Sequence, residues 1–355
     1  MSIVIITGAN GLFGSESVNF FFKKGFEVIG IDNNLRKFFF GKEGSTIWVK
    51  KKLQRDNKNF KSLNVDIRNY NQLEKIFKKY SKSISLIIHC AAQPSHDYGK
   101  NFPTLDFNVN AAGTLNLLEL TKIYCFDSPF IFMSTNKVYG DNPNKLKIIE
   151  NKKRWELKKN DKYFKGIDEK FSIDNCTHSF FGVSKVYADL IVQEYGKNVG
   201  LKTVCFRAGC ITGPNHSGAK LHGFLSYLVK KTLKTKKYNI IGFKGKQVRD
   251  NLHSYDLINC FWEFYKKPKK NGPIYNIGGG RYSNCSIIEA IELVENLTKI
   301  RIKKIYSHDA RIGDHICYIS NNNKFKKDYP RWKQVFNTEK IIKELINAET
   351  FEIKR

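Results

Sequence analysis

The sequence lacks any apolar stretch that approaches membrane-spanning length, any Cys-x-x-Cys pair and any internal repeat. It is also short of acid, with 33 Asp and Glu against 61 Lys and Arg, a formal charge of +28. Each absence excludes something. A spanning helix needs ~20 consecutive apolar residues, so no membrane partner is expected. Met1-Ser2 leads directly into an apolar run, so no secretory signal is expected either. The eight cysteines (Cys90, Cys125, Cys176, Cys205, Cys210, Cys260, Cys285, Cys317) are scattered without zinc-ligand spacing. They read as reduced thiols of a cytoplasmic protein with no metal site. The basic excess raises nucleic-acid binding, but the lysines are spread along the chain, often beside Asn and Phe, with no recognition motif. Biased residue usage accounts for the charge, and no nucleic-acid partner is expected.

What is present begins at the N-terminus. The β-branched run Ile3 to Ile6 suits a strand buried on both faces, and it opens into Thr7-Gly8-Ala9-Asn10-Gly11-Leu12-Phe13-Gly14. Gly8 and Gly11 allow a tight turn and close approach to a pyrophosphate, whose charge the following helix N-terminus stabilises. Gly14 permits close packing of that helix on the strand. A second apolar run, Glu27 to Ile31, ends at Asp32, eighteen residues after Gly14, where an acid meets a ribose 2′-hydroxyl. Alone, a glycine trio after a strand is often a plain turn; with strand, helix and acid in place it predicts a dinucleotide site, and Asp32 favours NAD over NADP.

Strand-like runs recur at Phe60 to Val65, Ser85 to His89, Phe130 to Met133 and Thr203 to Phe206. Amphipathic helical stretches lie between them at Asn71 to Tyr80, Thr104 to Tyr124 and Val183 to Val199. This alternation predicts an α/β fold, a Rossmann-type doubly wound parallel sheet with the cofactor along its carboxyl edge. The expected division is an NAD-binding domain over 1–208, with a returning segment near 245–265, and a smaller substrate-binding α/β region over 209–355. Beyond Gly209 the pattern is irregular, with one helix near Leu225 to Leu233 and otherwise short strands and turns. Asn151 to Lys170 is charged and poorly periodic and reads as a surface excursion.

These features resemble the extended short-chain dehydrogenase/reductase family. The resemblance sharpens with Ser134-Thr135-Asn136-Lys137-Val138-Tyr139-Gly140-Asp141, Lys246-Gln247-Val248-Arg249-Asp250, Asn276-Ile277-Gly278-Gly279, Asp106-Phe107-x-Val109-Asn110 and His178-Ser179 ahead of Gly182-x-Ser184-Lys185. Together they look like the CDP-paratose 2-epimerase group of nucleotide-sugar epimerases and dehydratases, over nearly the whole chain. The resemblance implies redox-neutral epimerisation: a sugar hydroxyl carbon is oxidised, the ketone reorients, and hydride returns to the other face, with NAD retained. It implies that Thr135 hydrogen-bonds the reacting hydroxyl and that Lys185 holds the nicotinamide ribose and keeps the local potential positive. Gly8, Asn10, Gly11, Phe13, Gly14, Asp32, Asn33, Arg36, Asp66, Ile67, Ala91, Ala92, Gln93 and Asn110 would line the NAD site. Gln93, Lys137, Asn215, Arg249, Arg311 and Asp314 would face the nucleotide sugar, CDP-linked by resemblance, with the arginine forks suited to phosphate. It further implies a homodimer through the helices around Thr104 to Tyr124 and Val183 to Val199, and a role in making a deoxysugar for surface polysaccharide. Part of the basic excess would attract the dianionic ligand.

One residue departs from the pattern. The family carries Tyr-x-x-x-Lys, and here Phe181 stands four residues before Lys185. A phenylalanine accepts no proton, and loss of a positioned base typically costs about 10²-fold to 10⁴-fold in rate. Three readings follow. The base has moved, with Tyr163, Cys176, His178, His96, Lys137 and Tyr139 as candidates and His178 the first choice because it titrates in the right range. Alternatively the chain is a related NAD-dependent dehydratase or oxidoreductase, or a silent relative that only binds. Retention of Thr135, Lys137, Lys185 and the arginines favours the first reading.

Overall fold

The β-branched runs form the middle of a seven-stranded sheet. In the computed structural model, which describes residues 2–58, 60–218, 223–307 and 313–353, the strand order is Ile274–Ile277, Thr203–Ala208, Phe130–Thr135, Ile84–His89, Ile3–Thr7, Glu27–Ile31, Lys61–Leu63. Ile3–Thr7 is an inner strand and pairs parallel on both sides, Ile5 lying opposite Ile29 and Ile87. Its five residues are all buried, as a strand covered by helices on both faces requires. The sixth run is longer than expected, reaching Ala208. The third is shorter, Lys61–Leu63, because its register holds only three pairs with the one strand beside it.

The helices follow the apolar periodicity with two interruptions. Tyr70–Tyr80 is capped by Asn69, whose Oδ1 accepts from Gln72 N–H at 3.0 Å. The stretch expected as one helix over Thr104 to Tyr124 is Pro103–Phe107, a π-helical turn at Asn108–Ala112, then Gly113–Tyr124. The next begins earlier than expected, as Ser179–Glu194, and ends in a second π turn, Tyr195–Val199, stopped by Gly200 at φ +88°. Ile5, Ile29, Phe77, Leu117, Phe130 and Val192 belong to the core between sheet and helices.

The chain divides into two interleaved compact units. The first comprises Met1–Val138, Ser179–Arg207 and Ile258–Tyr275; the second Tyr139–His178, Ala208–Leu257 and Asn276–Arg355. The segment that returns to the first unit is thus 258–275, where the sequence pattern suggested 245–265, and residues 139–178 sit with the second unit.

The second unit is more regular than its sequence suggested. Val248–His253 pairs parallel with Cys210–Thr212 and Cys317–Tyr318 and antiparallel with Asn284–Ser286, while Lys237–Ile241 pairs parallel with Lys303–Ser307. Helices Phe224–Lys234, Ile287–Thr298 and Thr338–Ile353 bury Leu225, Leu228, Ile291, Val294, Ile341 and Ile342 together. Ser286 and Glu289 form a reciprocal capping box on the second of these helices. The segment 151–170 is not a mere surface excursion. Ile148–Glu150 and Trp155–Leu157 form an antiparallel hairpin whose Leu157 is buried with Val248, Cys317 and Ile319.

Candidate active site

The glycine turn is built by steric necessity. Gly8 sits at φ +67°, and a Cβ there would stand 2.7 Å from Ala91 N; a Cβ on Gly14 would stand 2.1 Å from Gly8 O. Only hydrogen fits at either place. Gly11 N–H donates to Gly8 O at 3.0 Å, and Leu12–Lys23 begins immediately after, with Phe13 half-buried in its first turn. The turn therefore offers backbone and a helix N-terminus at the end of the strand Ile3–Thr7.

Asp32 closes the adjacent side. Its Oδ2 accepts from Asn10 N–H at 2.9 Å and its Oδ1 from Asn34 N–H at 2.8 Å. Burial raises the carboxyl above its ordinary range, and these amide donors oppose the shift. Asn10 is itself buried, and its Oδ1 has no partner. A cradle that admits no Cβ, a half-buried carboxylate and an orphaned polar oxygen fit a dinucleotide. Further along, Asn33 Nδ2 donates to Asp66 Oδ2 at 2.9 Å and Arg68 closes on the same carboxylate. Burial pushes the Asp66 carboxyl up, but the Arg68 bonds and charge outweigh it and hold the group low. Asp66 also lines an open pocket with Arg68, Asn69, Tyr70 and Asn108. Ile67 is buried under Gly113, where a Cβ would come within 2.7 Å of Ile67 Cδ1. Arg36 lies 4.7 Å from the Phe40 ring centroid, and burial lowers its guanidinium to about 10, still protonated at neutral pH.

Beyond the next strand, Ala91 N–H donates to Thr7 Oγ1 at 3.3 Å, the first link of a buried chain. Thr114 spends its proton on Asn110 O at 2.6 Å, so its oxygen accepts from His89 Nε2–H at 2.9 Å. His89 Nδ1 then accepts from Thr7 Oγ1–H at 2.7 Å. Burial, with the Lys185 charge adding to it, lowers His89 to about 3, which keeps the imidazole neutral as this directional chain requires. Asn110, in the first π turn, accepts from Gln93 N–H at 2.9 Å and donates to Ser184 Oγ at 3.0 Å. Ala92 is half-buried beside it.

Gln93 was expected to touch cofactor and sugar. Instead its carboxamide is occupied internally: Nε2 donates to Ser95 O at 2.7 Å and to Asp106 Oδ1, while Oε1 accepts from Ser95 N–H. Ser184 Oγ–H donates to the other Asp106 oxygen. Asp106 and Ser184 stand in the motifs quoted above but were given no role there; Asp106 precedes Asn110 by one helical turn and Ser184 adjoins Lys185.

Lys185 is buried. Its ammonium donates to Met133 O at 2.7 Å and lies 4.2 Å from the Phe132 ring centroid. Burial lowers it to about 8, opposed chiefly by the Asp189 charge. Asp189, one helical turn later, is paired with Arg207 at 2.7 Å, both buried, and accepts from Ser134. This trio sets the field around Lys185 and was missed from sequence; its signal was the i, i+4 spacing. Thr135, half-buried at the end of its strand, accepts from Lys137 N–H at 3.2 Å, a local turn bond that leaves the hydroxyl further bonding capacity. Lys137 is half-buried.

Phe181 lies buried one turn before Lys185, and the His96 ring packs edge-on to it at 4.9 Å between centroids. His96 Nδ1 is 2.9 Å from Ser179 Oγ. The structure thus gathers Thr135, Lys137, Lys185, the glycine turn and Asp32 in the first unit, together with His96.

The remaining expected residues lie in the second unit. His178 Nε2 is 2.8 Å from Ile173 O and 3.3 Å from Cys176 Sγ, and its buried Nδ1 has no partner. Tyr139 is fully buried and its hydroxyl donates to Asn276 Oδ1 at 2.7 Å; the Tyr163 ring packs on Phe171 at 4.8 Å. Arg249 Nη2 pairs with Asp314 Oδ1 at 2.7 Å and Nη1 donates to His315 O at 2.6 Å, so two residues expected at one phosphate site do meet. Asn215 is buried in its loop. Arg311 lies outside the described residues. Among the described residues no cluster of His, Cys, Asp or Glu could hold a metal ion, and no helix is long and apolar enough to cross a membrane.

Known proteins are similar to this chain in sequence and in fold. Residues 4–278 match the model of the NAD dependent epimerase/dehydratase family. CDP-paratose 2-epimerase of Salmonella typhi is 32% identical over 307 residues, covering 84% of this chain and 86% of that protein. In fold, the chain is similar to UDP-glucose 4-epimerase of Bifidobacterium longum in complex with NAD+ and UDP, with TM-score 0.80, 20% identity and 99% of each chain covered. UDP-glucuronic acid 4-epimerase of Bacillus cereus, in complex with NAD, gives TM-score 0.79 at 22% identity, again covering 99% of each chain. A parallel sheet with the glycine turn at its carboxyl edge, and a family match across three quarters of the sequence, lead to one conclusion: the chain belongs to the NAD-dependent epimerase/dehydratase family of the extended short-chain dehydrogenases/reductases, and its cofactor is NAD.

Proposed function

We propose that this protein is a cytoplasmic epimerase that inverts C2 of a CDP-linked deoxyhexose. The observation that carries this reading is the 32% identity, over 84% of the chain, to a CDP-paratose 2-epimerase. Bound NAD supplies a hydride acceptor and donor. The chain's own residues orient and neutralise. Asp32 accepts from the ribose hydroxyls, the turn at Gly8, Gly11 and Gly14 receives the pyrophosphate, and Lys185 keeps the potential positive. Thr135 hydrogen-bonds the reacting hydroxyl. Lys137, Asn215, Arg249 and Arg311 hold the nucleotide sugar, with Asp314 orienting the Arg249 guanidinium. Gln93 acts through the loop it holds.

A homodimer accompanies this reading. Its support is the apolar surface on the helices expected to pair: Phe107, Ile123, Val183 and Leu190 are all exposed, and Phe107 packs against Tyr187. Light scattering over a concentration series should show a dimer; monomer throughout removes that part.

The test of function is proton NMR in heavy water with CDP-paratose or CDP-tyvelose, after mass spectrometry of the co-purified nucleotide. Interconversion without deuterium at C2 is the expected result, since internal hydride return keeps that hydrogen. NAD bound with neither sugar converted would reject the substrate, and loss of water from another nucleotide sugar would identify a dehydratase.

A further inference from the structure

We propose that His96 is the acid–base residue of this site, standing in for the phenol that Phe181 lacks; this rests on the epimerase reading above. The placement begins with a clamp. Gln93 grips both sides of the Ser95 peptide, Asp106 accepts from Gln93 and from Ser184, and Ser184 Oγ also lies 3.0 Å from Phe181 O. The loop that presents His96 is thereby fastened, through buried side chains, to the helix that carries Phe181 and Lys185. Gly99 lets the short helix His96–Asn101 close on that helix: a Cβ there would stand 3.0 Å from Phe181 N. The imidazole ends up edge-on to the Phe181 ring at 4.9 Å, half-buried, beside the place where relatives put a hydroxyl.

Ser179 stands where it can accept from the tautomer a base requires. Its Oγ accepts from Gly182 N–H at 3.3 Å and lies 2.9 Å from His96 Nδ1, and the residue is held at φ +63°, an uncommon conformation for a side-chain-bearing residue. In the proposed resting state Nδ1–H donates to Ser179 and Nε2 carries the lone pair, the form a base requires. The proton balance closes. The sugar hydroxyl gives its proton to His96 Nε2 as its carbon gives hydride to bound NAD. When hydride returns to the opposite face of the ketone, the imidazolium gives the proton back to the same oxygen. Nothing is consumed. His178, by contrast, has Nε2 turned onto Ile173 O and Nδ1 sealed from solvent.

The experiment uses NAD-loaded protein with CDP-paratose as probe. His96→Gln is expected to lower kcat by about 10²-fold to 10⁴-fold with NAD content and KM little changed. Adding Phe181→Tyr to that variant restores at least about tenfold, because the phenol supplies the missing proton acceptor. His96→Gln within about threefold of wild type, no rescue by the tyrosine, or a larger kcat loss in His178→Ala would each overturn the assignment. If wild type converts no nucleotide sugar, the epimerase reading fails separately. Nitrogen-15 NMR of the wild-type imidazole then judges His96 by itself: Nδ1–H is expected, and Nε2–H refutes the role.

Discussion

The glycine turn and the Phe181 corner belong to the same unit and would serve the same proposed reaction, yet they are made by different physics. At the turn the constraint is backbone against backbone, so one residue type fits and the motif is rigid. At the corner the constraint is that some group within reach exchanges a proton, which several side chains satisfy. A departure such as Phe181 is therefore expected at the corner and not at the turn. Steric contacts with main chain leave no substitute; acid–base chemistry does.

The largest effect that would sharpen this contrast comes from Gly14→Ala. The added Cβ meets Gly8 O at 2.1 Å, and the obstacle is main chain. Overpacking costs about 1–3 kcal/mol where side chains give way, so the cost here should reach at least that upper figure. Loss of co-purified NAD and a lowered denaturation midpoint are expected; a variant that retains stoichiometric NAD would show the turn to be less rigid than its geometry.

Lys185→Met tests the corner with opposite signs for stability and turnover. Burial lowers the ammonium to about 8, so at neutral pH the folded state holds a charge that water would hold at lower free energy. Removing it should stabilise the fold by about 1–2 kcal/mol while kcat falls by about 10²-fold or more. Denaturant titration alongside kinetics reads both, and a variant that loses stability and activity together would mark Lys185 as structural.

The smallest expected effect lies in the buried chain between the two regions. His89 is held near 3 in the folded protein, against 6.5 as the ordinary value. Below 6.5 the unfolded chain binds a proton that the folded chain refuses, so stability falls as pH drops. Between pH 7 and pH 5 this group contributes a loss of about 2 kcal/mol. The difference in unfolding free energy between wild type and His89→Gln should shrink by that amount over this interval; a pH-independent difference would mean that His89 is protonated in the fold.

Much of this was readable from residue order. Ile3 to Ile6 and Glu27 to Ile31 are strands because a strand covered on both faces needs a continuous apolar run, and they occur within one residue of expectation. In the second unit the helix near Leu225 to Leu233 was read, but Ile287–Thr298 was not, although Ile287, Ala290, Ile291 and Val294 keep helical spacing, because the strands around it are short and their partners distant. Ile274–Ile277 became a strand only by docking at the edge of a sheet whose neighbouring strand lies some seventy residues earlier.

The sequence by itself determined the turn, the acid that closes it and the phenylalanine one helical turn before Lys185, since these depend on local sterics and on which atoms a side chain has. Tertiary structure alone decided that Gln93 faces Asp106, that Asp189 and Arg207 set the field at Lys185, and that His96 meets Phe181. His96 and Phe181 are 85 positions apart, and no periodicity or spacing connects them. Buried hydrogen-bonding groups must find partners wherever the packing brings them, and that search is settled in space and not along the chain.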